Sequence, residues 1–442
     1  MYNRQLLVCL GYLIFFTTAC KVTKSTIKNT KTGLEEMIDD NPLFGENFSG
    51  IYIESLEDER VIYQQLADHR FIPASNVKIF TLYAALEILN KKIPSFQYLS
   101  QRDTLWIWGT GDPAFLYDKV TQDSSFISFV RSSKDNVILY SQANFMEDRF
   151  GAGWAWDDYP YSYQVEKSAF PIYGNRVTFL NSTGKNLAIL PSYFSQYSIF
   201  EPALKSRKII RAERDNQFSL ATDLKTKKIK TSLPFTYQPG LITQLLTDTL
   251  KRLVQPDLSQ RPLAKNSIVV ERNLTDELYQ RMMQESDNFI AEQLLLVTGG
   301  KLTDTLNTRQ TIKHLEKNVF REVAKDIRWV DGSGLSRYNL FTPRSIAWVL
   351  KKLPQKINQN RLLDLFPAGG LSGSLKEWYG GKDQPYVFAK TGSMSGVYCL
   401  SGYLKTKKGE LLLISFMHNN FQGSSKKYKK AMTPILEWLY EN

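Results

Sequence analysis

The chain is poor in the residues on which many enzymes and small scaffolds depend. Its 442 residues include three cysteines and three histidines. Cys9, Cys20 and Cys399 are too few and too scattered for a disulfide framework. His69, His314 and His418 stand in no nucleophile–base pattern, which disfavours a histidine triad. There is no metal-binding pair, no nucleophile elbow, and nothing that calls for a cofactor. Zinc-finger spacing, an aromatic RNA-binding motif and a basic heptad region are all missing. The net charge of +12 therefore reads as a diffuse basic surface rather than a nucleic-acid site. Internal repeats and low-complexity tracts are absent. Beyond residue 20 no run is long and apolar enough for a membrane helix.

What is present is ordinary globular material, 43% hydrophobic and 23% charged, long enough for two or more domains. The first residues read as a targeting segment. Arg4 precedes an apolar run from Leu6 to Phe16, followed by Thr17, Thr18 and Ala19 and then Cys20, the shape of a signal peptide over residues 1–19. Cys20 in that place is similar to a bacterial lipoprotein site, which would make it a lipid tether; the alternative is ordinary cleavage nearby. A polar leader is expected to about residue 45.

The spacing predicts two strands, residues 49–54 and 60–64, joined by a hairpin turn. A helix opens at Ser75. From about residue 96 to 265, short aromatic and β-branched runs alternate with turn residues, which predicts a separate, inserted β-rich module. Within it, Gly151 to Asp158 is a loop with two indoles and two carboxylates. Helical periodicity returns at 274–283, breaks at Ser286-Asp287-Asn288, and resumes through Leu296. Three strands (386–392, 396–404, 410–417) and a helix at about 425–440 finish the chain. The fold class expected is α+β: helices packed on an antiparallel sheet, interrupted by the insert. The expected division is 20–95 and 266–442 for the first body and 96–265 for the second.

One stretch draws the rest together. Ser75 and Lys78 are three residues apart at a helix start, so they share a face about one turn from each other. The following run, Ile79 to Leu89, is almost wholly apolar and reads as buried. A serine hydroxyl is a poor nucleophile until a base activates it, and a lysine serves if burial lowers its pKa. Ser-x-x-Lys alone is weak: it starts also at Ser25, Ser182 and Ser424, and Lys-Thr-Gly occurs at Lys31 as well as Lys390. Only Ser75 opens an apolar helix, and only Lys390 lies in an apolar strand followed by two more. Ser286 offers a hydroxyl that can relay a proton, and Asn288 an amide that can orient Lys78 and a substrate. Lys390, Thr391, Gly392 and Ser393 form a strand edge with one charge and two hydroxyls, suited to a carboxylate. The Ser75 and Ser393 amides suit an oxyanion. Taken singly, these segments are also a helix cap, an edge lysine and plain helix residues; their order tips the reading.

The ordered set Ser75-x-x-Lys78, Ser286-Asp287-Asn288 and Lys390-Thr391-Gly392 resembles that of penicillin-binding proteins and class A β-lactamases. With Gly109-Thr110-Gly111-Asp112-Pro113, Gly153-Trp154-Ala155-Trp156 and Asp331-Gly332-Ser333-Gly334-Leu335-Ser336-Arg337, the chain resembles the three-domain D-alanyl-D-alanine carboxypeptidase/endopeptidases of bacterial cell walls. The resemblance implies a transpeptidase-like domain with a large β-rich insert. It implies a serine DD-peptidase of peptidoglycan stem peptides, located in the cell envelope and acylated by β-lactams. Ser75 would be the nucleophile, Lys78 its base and Ser286 the relay. Asn288, Lys390, Thr391, Gly392 and Ser393 would bind substrate, with Asp158 as a contact for a stem-peptide side-chain amine. A non-catalytic peptidoglycan-binding scaffold of the same fold is the alternative. A β-lactamase is a third reading, against which the 208 positions between Lys78 and Ser286 argue.

Overall fold

Two strands near the C-terminus, β15 (Val397–Lys405) and β16 (Leu411–Asn419), are buried at nearly every position. Both faces of their sheet are covered, so the polar side of the usual alternation is lost. Val397, Cys399, Tyr403, Leu411, Leu413 and Met417 point into one apolar core, while Tyr398, Leu400, Leu404, Leu412, Ile414 and Phe416 point into another. The sheet is antiparallel and ordered β14-β15-β16-β1-β2, with β1 (Phe48–Ser55), β2 (Val61–Gln65) and β14 (Val387–Met394). The computed structural model describes residues 33–45, 47–204, 209–273 and 276–442. The signal-like segment, Cys20, and the motif copies at Ser25 and Lys31 lie outside these residues.

The first core is helical. It holds α3 (Val77–Leu89), α6 (Asp276–Gln284), α7 (Asn288–Thr303), α8 (Thr308–Asn318), α9 (Pro343–Lys352) and α10 (Gln359–Leu365). Helices α3 and α7 carry little amphipathic pattern because they run through the middle of it, buried over 11 residues each. On the other face lie α1 (Gly33–Asp39), α2 (Pro42–Gly45) and α11 (Lys426–Glu441). Residues 33–45 are therefore not part of a polar leader: Leu34, Ile38 and Phe44 are buried in this second core. A spacing of four between Leu34 and Ile38 is the helical signal that the surrounding charges obscured.

The inserted module has a core of its own. Its larger sheet runs β12-β5-β4-β3-β13, formed by β3 (Lys92–Gln101), β4 (Thr104–Gly109), β5 (Val137–Ser141), β12 (Gln255–Pro256) and β13 (Ile268–Asn273). Strand β13 closes it against β3, so this sheet takes in residues beyond the expected limit at 265. Two three-stranded sheets complete the module. One is β11-β6-β7, from β6 (Arg176–Asn181), β7 (Ala188–Leu190) and β11 (Ile229–Pro234). The other is β8-β10-β9, from β8 (Ser198–Glu201), β9 (Ile209–Arg211) and β10 (Phe218–Ala221). Helices α4 (Ser125–Ser132) and α5 (Pro239–Leu250) pack on them.

Polar anchors seat the insert on α7. The Gln293 amide donates to the carbonyls of Gly111 and Ser168 at 2.9 and 3.0 Å and accepts from the Ser168 amide. Within the insert, Arg272 on β13 holds the same turn by gripping Asp112 with two bonds of 2.6 Å. The Gly109–Pro113 motif is thus a piece of this seam.

Candidate active site

A single 3-10 turn, Ala74–Asn76, delivers Ser75 to the mouth of α3. The turn is held from three sides. The Asn76 side-chain amide donates to Ser401 Oγ on β15 at 2.8 Å. A Cβ placed on Gly334, whose φ is +84°, would stand 1.9 Å from the Ala74 carbonyl oxygen. One placed on Gly392 would stand 2.5 Å from the Pro73 carbonyl and 3.1 Å from the Ser75 nitrogen. Only glycine permits such close approach, and the Gly334 conformation favours it too. Ala74 itself is held at φ +45°, a costly state for a residue with a side chain.

One turn on, Lys78 is fully buried. Its Nζ donates to Ser75 Oγ at 2.9 Å, to Asn288 Oδ1 at 2.6 Å and to the Ser333 carbonyl at 2.6 Å. Burial lowers its pKa to about 8, although the carboxylates of Asp331, Glu292 and Asp287 pull the other way. About a tenth of this amine is therefore unprotonated at pH 7, and the Ser75 hydroxyl whose proton it would take is already in contact.

The Ser286-Asp287-Asn288 segment joins α6 to α7. Ser286 takes φ +57°, which breaks the helix and turns its hydroxyl inward. Asp287 caps α7, accepting from the Ile290 amide at 3.2 Å. It also accepts from the Tyr117 hydroxyl at 2.6 Å and from Arg281 at 3.2 Å, with Arg176 at 3.8 Å. Burial would raise its pKa, but Arg176, Tyr117 and Arg281 outweigh that and keep it below the usual carboxylate range. Asn288 spans the cleft: its Oδ1 meets Lys78 and its Nδ2 donates to the Tyr163 carbonyl at 2.9 Å.

Strand β14 forms the opposite wall. Lys390 is buried, and its Nζ donates to Ser286 Oγ and to the Thr391 carbonyl, both at 2.9 Å. Burial and the nearby Lys78 amine both push its pKa well down. Thr391 Oγ1 donates to Ser374 Oγ at 2.7 Å, and Ser393 is exposed at the cleft end of the strand. The structure thus links Ser75, Lys78, Asn288, Ser286, Lys390 and Thr391 in hydrogen-bond contact or direct succession. Asp158 stands apart, half exposed in the turn Trp156–Asp158. It accepts from the Tyr163 hydroxyl at 2.9 Å, one residue removed from the cleft. The Ser182 copy of Ser-x-x-Lys lies in the exposed turn after β6, and Ser424 is exposed before α11.

The loop over 331–337 carries part of the family resemblance but is assigned no role at the site by the sequence. Asp331 accepts from the Gly334 amide, Ser336 amide, Asn339 Nδ2 and Trp154 Nε1 at 2.6–2.9 Å. It winds the loop so that Gly334 presses on Ala74 and the Ser333 carbonyl meets Lys78. Glu292, buried on α7, accepts from the Ser333 amide at 2.8 Å. Burial and then Asp331 push its pKa up to about 7, against Lys167 and Ser333. A carboxylate inside an otherwise apolar helix was the available signal for Glu292.

Comparison with known proteins agrees with this geometry. A family profile described as the D-Ala-D-Ala carboxypeptidase 3 (S13) family matches residues 30–441. The D-alanyl-D-alanine carboxypeptidase DacB of Haemophilus influenzae is 28% identical over 170 residues, which span 37% of this chain and 35% of that protein. The D-alanyl-D-alanine carboxypeptidase of an Actinomadura species is 24% identical over 452 aligned residues, covering 89% of this chain and 82% of the relative. The solved structure of penicillin binding protein 4 (dacB) from Haemophilus influenzae superposes with a TM-score of 0.72 at 20% identity, over 93% of this chain and all of that one. The shared fold is the α+β arrangement of a helix-flanked antiparallel sheet with a β-rich insert.

Proposed function

Because this chain belongs to the D-Ala-D-Ala carboxypeptidase 3 (S13) family, we propose that it is a serine-type DD-peptidase of peptidoglycan stem peptides, acting through an acyl-enzyme on Ser75. The observation that carries the reading is the buried Lys78 amine, 2.9 Å from Ser75 Oγ, with its pKa lowered to about 8. In this reading Ser75 Oγ attacks the carbonyl of a D-Ala–D-Xaa bond and gives its proton to Lys78. The Ser75 and Ser393 amides receive the oxyanion. The C–N bond then breaks as Ser286 hands its proton to the leaving amine and takes one in turn from the Lys78 ammonium, which returns to the free amine. Lys390, Thr391 and Ser393 hold the carboxylate beside that amine, with Gly392 allowing the strand to pass close to Ser75. Water, deprotonated by Lys78, hydrolyses the ester and frees Ser75. Asn288 keeps Lys78 aimed at the nucleophile. Asp158 is assigned to the side-chain amine of the stem peptide, through the loop it shares with Tyr163.

A β-lactam presents a strained amide and a carboxylate in the same relation, so it acylates Ser75 and leaves slowly. A substrate in the wall places the enzyme in the bacterial cell envelope, with the leader as export signal and Cys20 as a lipid tether; Cys20→Ser then moves the protein from the membrane fraction to the soluble one. The test of the chemistry is Ser75→Ala. It abolishes labelling by fluorescent penicillin and D-Ala release from a pentapeptide while leaving the melting temperature near the parent's. Continued D-Ala release would refute the assignment.

A further inference from the structure

Ser286 borders two spaces. Its hydroxyl accepts from Lys390 in the cleft, and the residue also lines a cavity of about 480 Å³ to which neither Ser75 nor Lys390 contributes. This cavity lies between the α6–α7 junction and the inserted module. A second cavity of about 640 Å³ continues it along the insert, and the two share Asp118, Tyr173, Arg176 and Thr178 as wall. Each is of the size that holds a whole small ligand, far more than one departing alanine fills.

The position of the groove follows from the chemistry, and this step rests on the function proposed above. Ser286 is where the leaving amine receives its proton. Whatever else is attached to that amine begins at Ser286 and extends into the space beside it. The groove is therefore on the leaving side of the scissile bond.

Its wall is built by strands of the insert. Lys230 and Ser232 on β11 face the groove with Thr178 on the paired strand β6, the two hydroxyls 2.9 Å apart. The guanidinium groups of Arg176 and Arg281 are occupied by Asp287. Lys119 and Lys230 share one partly exposed carboxylate, Asp118, at 3.3 and 3.7 Å. Along this wall the four cations Lys119, Arg176, Lys230 and Arg281 face the three carboxylates Asp118, Asp287 and the exposed Glu285, an excess of one positive charge, with the Lys230 side chain 58% exposed.

We propose that this groove is a leaving-side subsite for a second, acidic stem peptide, and that Lys230 is its specificity-determining residue. The occupant is the stem whose side-chain amine forms the scissile amide of a cross-link. Its free carboxylates meet the Lys119–Lys230 rim, and its length runs along the β6–β11 face of the insert. A single D-Ala leaving group stops at Lys390 and Thr391 and never reaches the rim. The insert then serves to discriminate leaving groups, without part in the chemistry at Ser75.

The test compares three rates on the full-length enzyme: cleavage of a purified cross-linked muropeptide dimer, D-Ala release from a monomeric pentapeptide, and acylation by penicillin. Lys230→Glu lowers kcat/KM for the dimer by about tenfold, as a charge reversal near a carboxylate does at an exposed site. The other two rates stay within about twofold, and Lys230→Arg restores the dimer rate. Ser232→Trp, which fills the groove, gives the same split. Equal loss on monomer and dimer, or no loss on either, would overturn the subsite. So would a parent enzyme that reacts with penicillin and trims monomers but leaves dimers whole. A parent enzyme inert to penicillin and to both peptides would instead sink the catalytic reading, and the subsite with it.

Discussion

Gly334→Ala tests the claim that the 331–337 loop sets the position of the nucleophile. The added methyl group would stand 1.9 Å from the Ala74 carbonyl oxygen, where about 3.0 Å is the closest real approach. Something must move by more than an ångström, and the oxygen that the methyl group meets belongs to backbone. Ala74 has little freedom to give, being already at φ +45°. Two costs add. An alanine at φ +84° costs about 1–2 kcal/mol. Overpacking against a fixed carbonyl costs about 1–3 kcal/mol more. At about 2–4 °C per kcal/mol for domains of 150–250 residues, the melting temperature falls by several degrees. The larger effect is on rate, since an ångström of misplacement at Ser75 costs about a hundredfold. Gly409→Ala is the control. Gly409 has φ +95° but nothing within 4 Å of the added carbon, so it carries the conformational cost without the collision. Stopped-flow acylation by a fluorescent penicillin, with thermal melts of both variants, reads the two terms apart. If Gly334→Ala is acylated within threefold of the parent rate, the loop does not position Ser75 and the reasoning fails.

Acylation is expected to rise with pH through about 8 and then level, as Lys78 loses its proton. The sign for stability is the same: the native lysine binds its proton less tightly than the unfolded one. The penalty of burying it is full below about 8 and fades as pH approaches its ordinary 10.5. A Lys78→Met variant should lack this upward slope of melting temperature with pH; a slope equal to the parent's would assign it elsewhere. Asp331→Asn removes the largest charge holding the Lys78 pKa up, so the acid limb of the acylation profile moves to lower pH, and the melt falls as a four-bond acceptor is lost. A limb that stays in place would show that Asp331 acts on the loop alone. The Cys399 thiol is fully buried, and burial pushes its pKa far up. Mass spectrometry after treatment with iodoacetamide should find the Cys399 peptide unmodified in native protein and alkylated in denaturant; rapid native alkylation would contradict the packing of β15.

The sequence was most legible where function is written in local structure. Ser75 at a helix mouth, Ser286-Asp287-Asn288 as a helix break and Lys390 in a strand each leave a mark that capping and periodicity rules detect. The strands of the central sheet were readable for the same reason. Less legible were groups whose work is done through another residue. Nothing in the spacing of Asp331 says that it folds a loop onto the backbone ahead of Ser75. Tyr117 and Arg176 look like ordinary insert residues until the chain brings them to Asp287. Helices α9 and α10 did carry signals: Thr342-Pro343 with Ser345 is a capping pair with proline at the first turn, and Asn358 caps the next. Residues 33–45 were obscured by composition, since their three buried apolar side chains sit among carboxylates and asparagine.

The pairing of β1 with β16 has a consequence for how the protein comes into being. Ser49 and His418 are hydrogen-bonded neighbours 369 positions apart. A ribosome that has released β1 must make nearly all the rest before that strand finds its partner. Contacts so distant in sequence form late and slowly. The insert, with its own apolar interior, can condense in the meantime. The segment 33–55, whose α1 packs on α11 and whose β1 pairs with β16, therefore spends the longest time without a home. That makes it the stretch most in need of a chaperone's shelter, and truncation before residue 419 should leave a soluble insert tethered to unfolded arms.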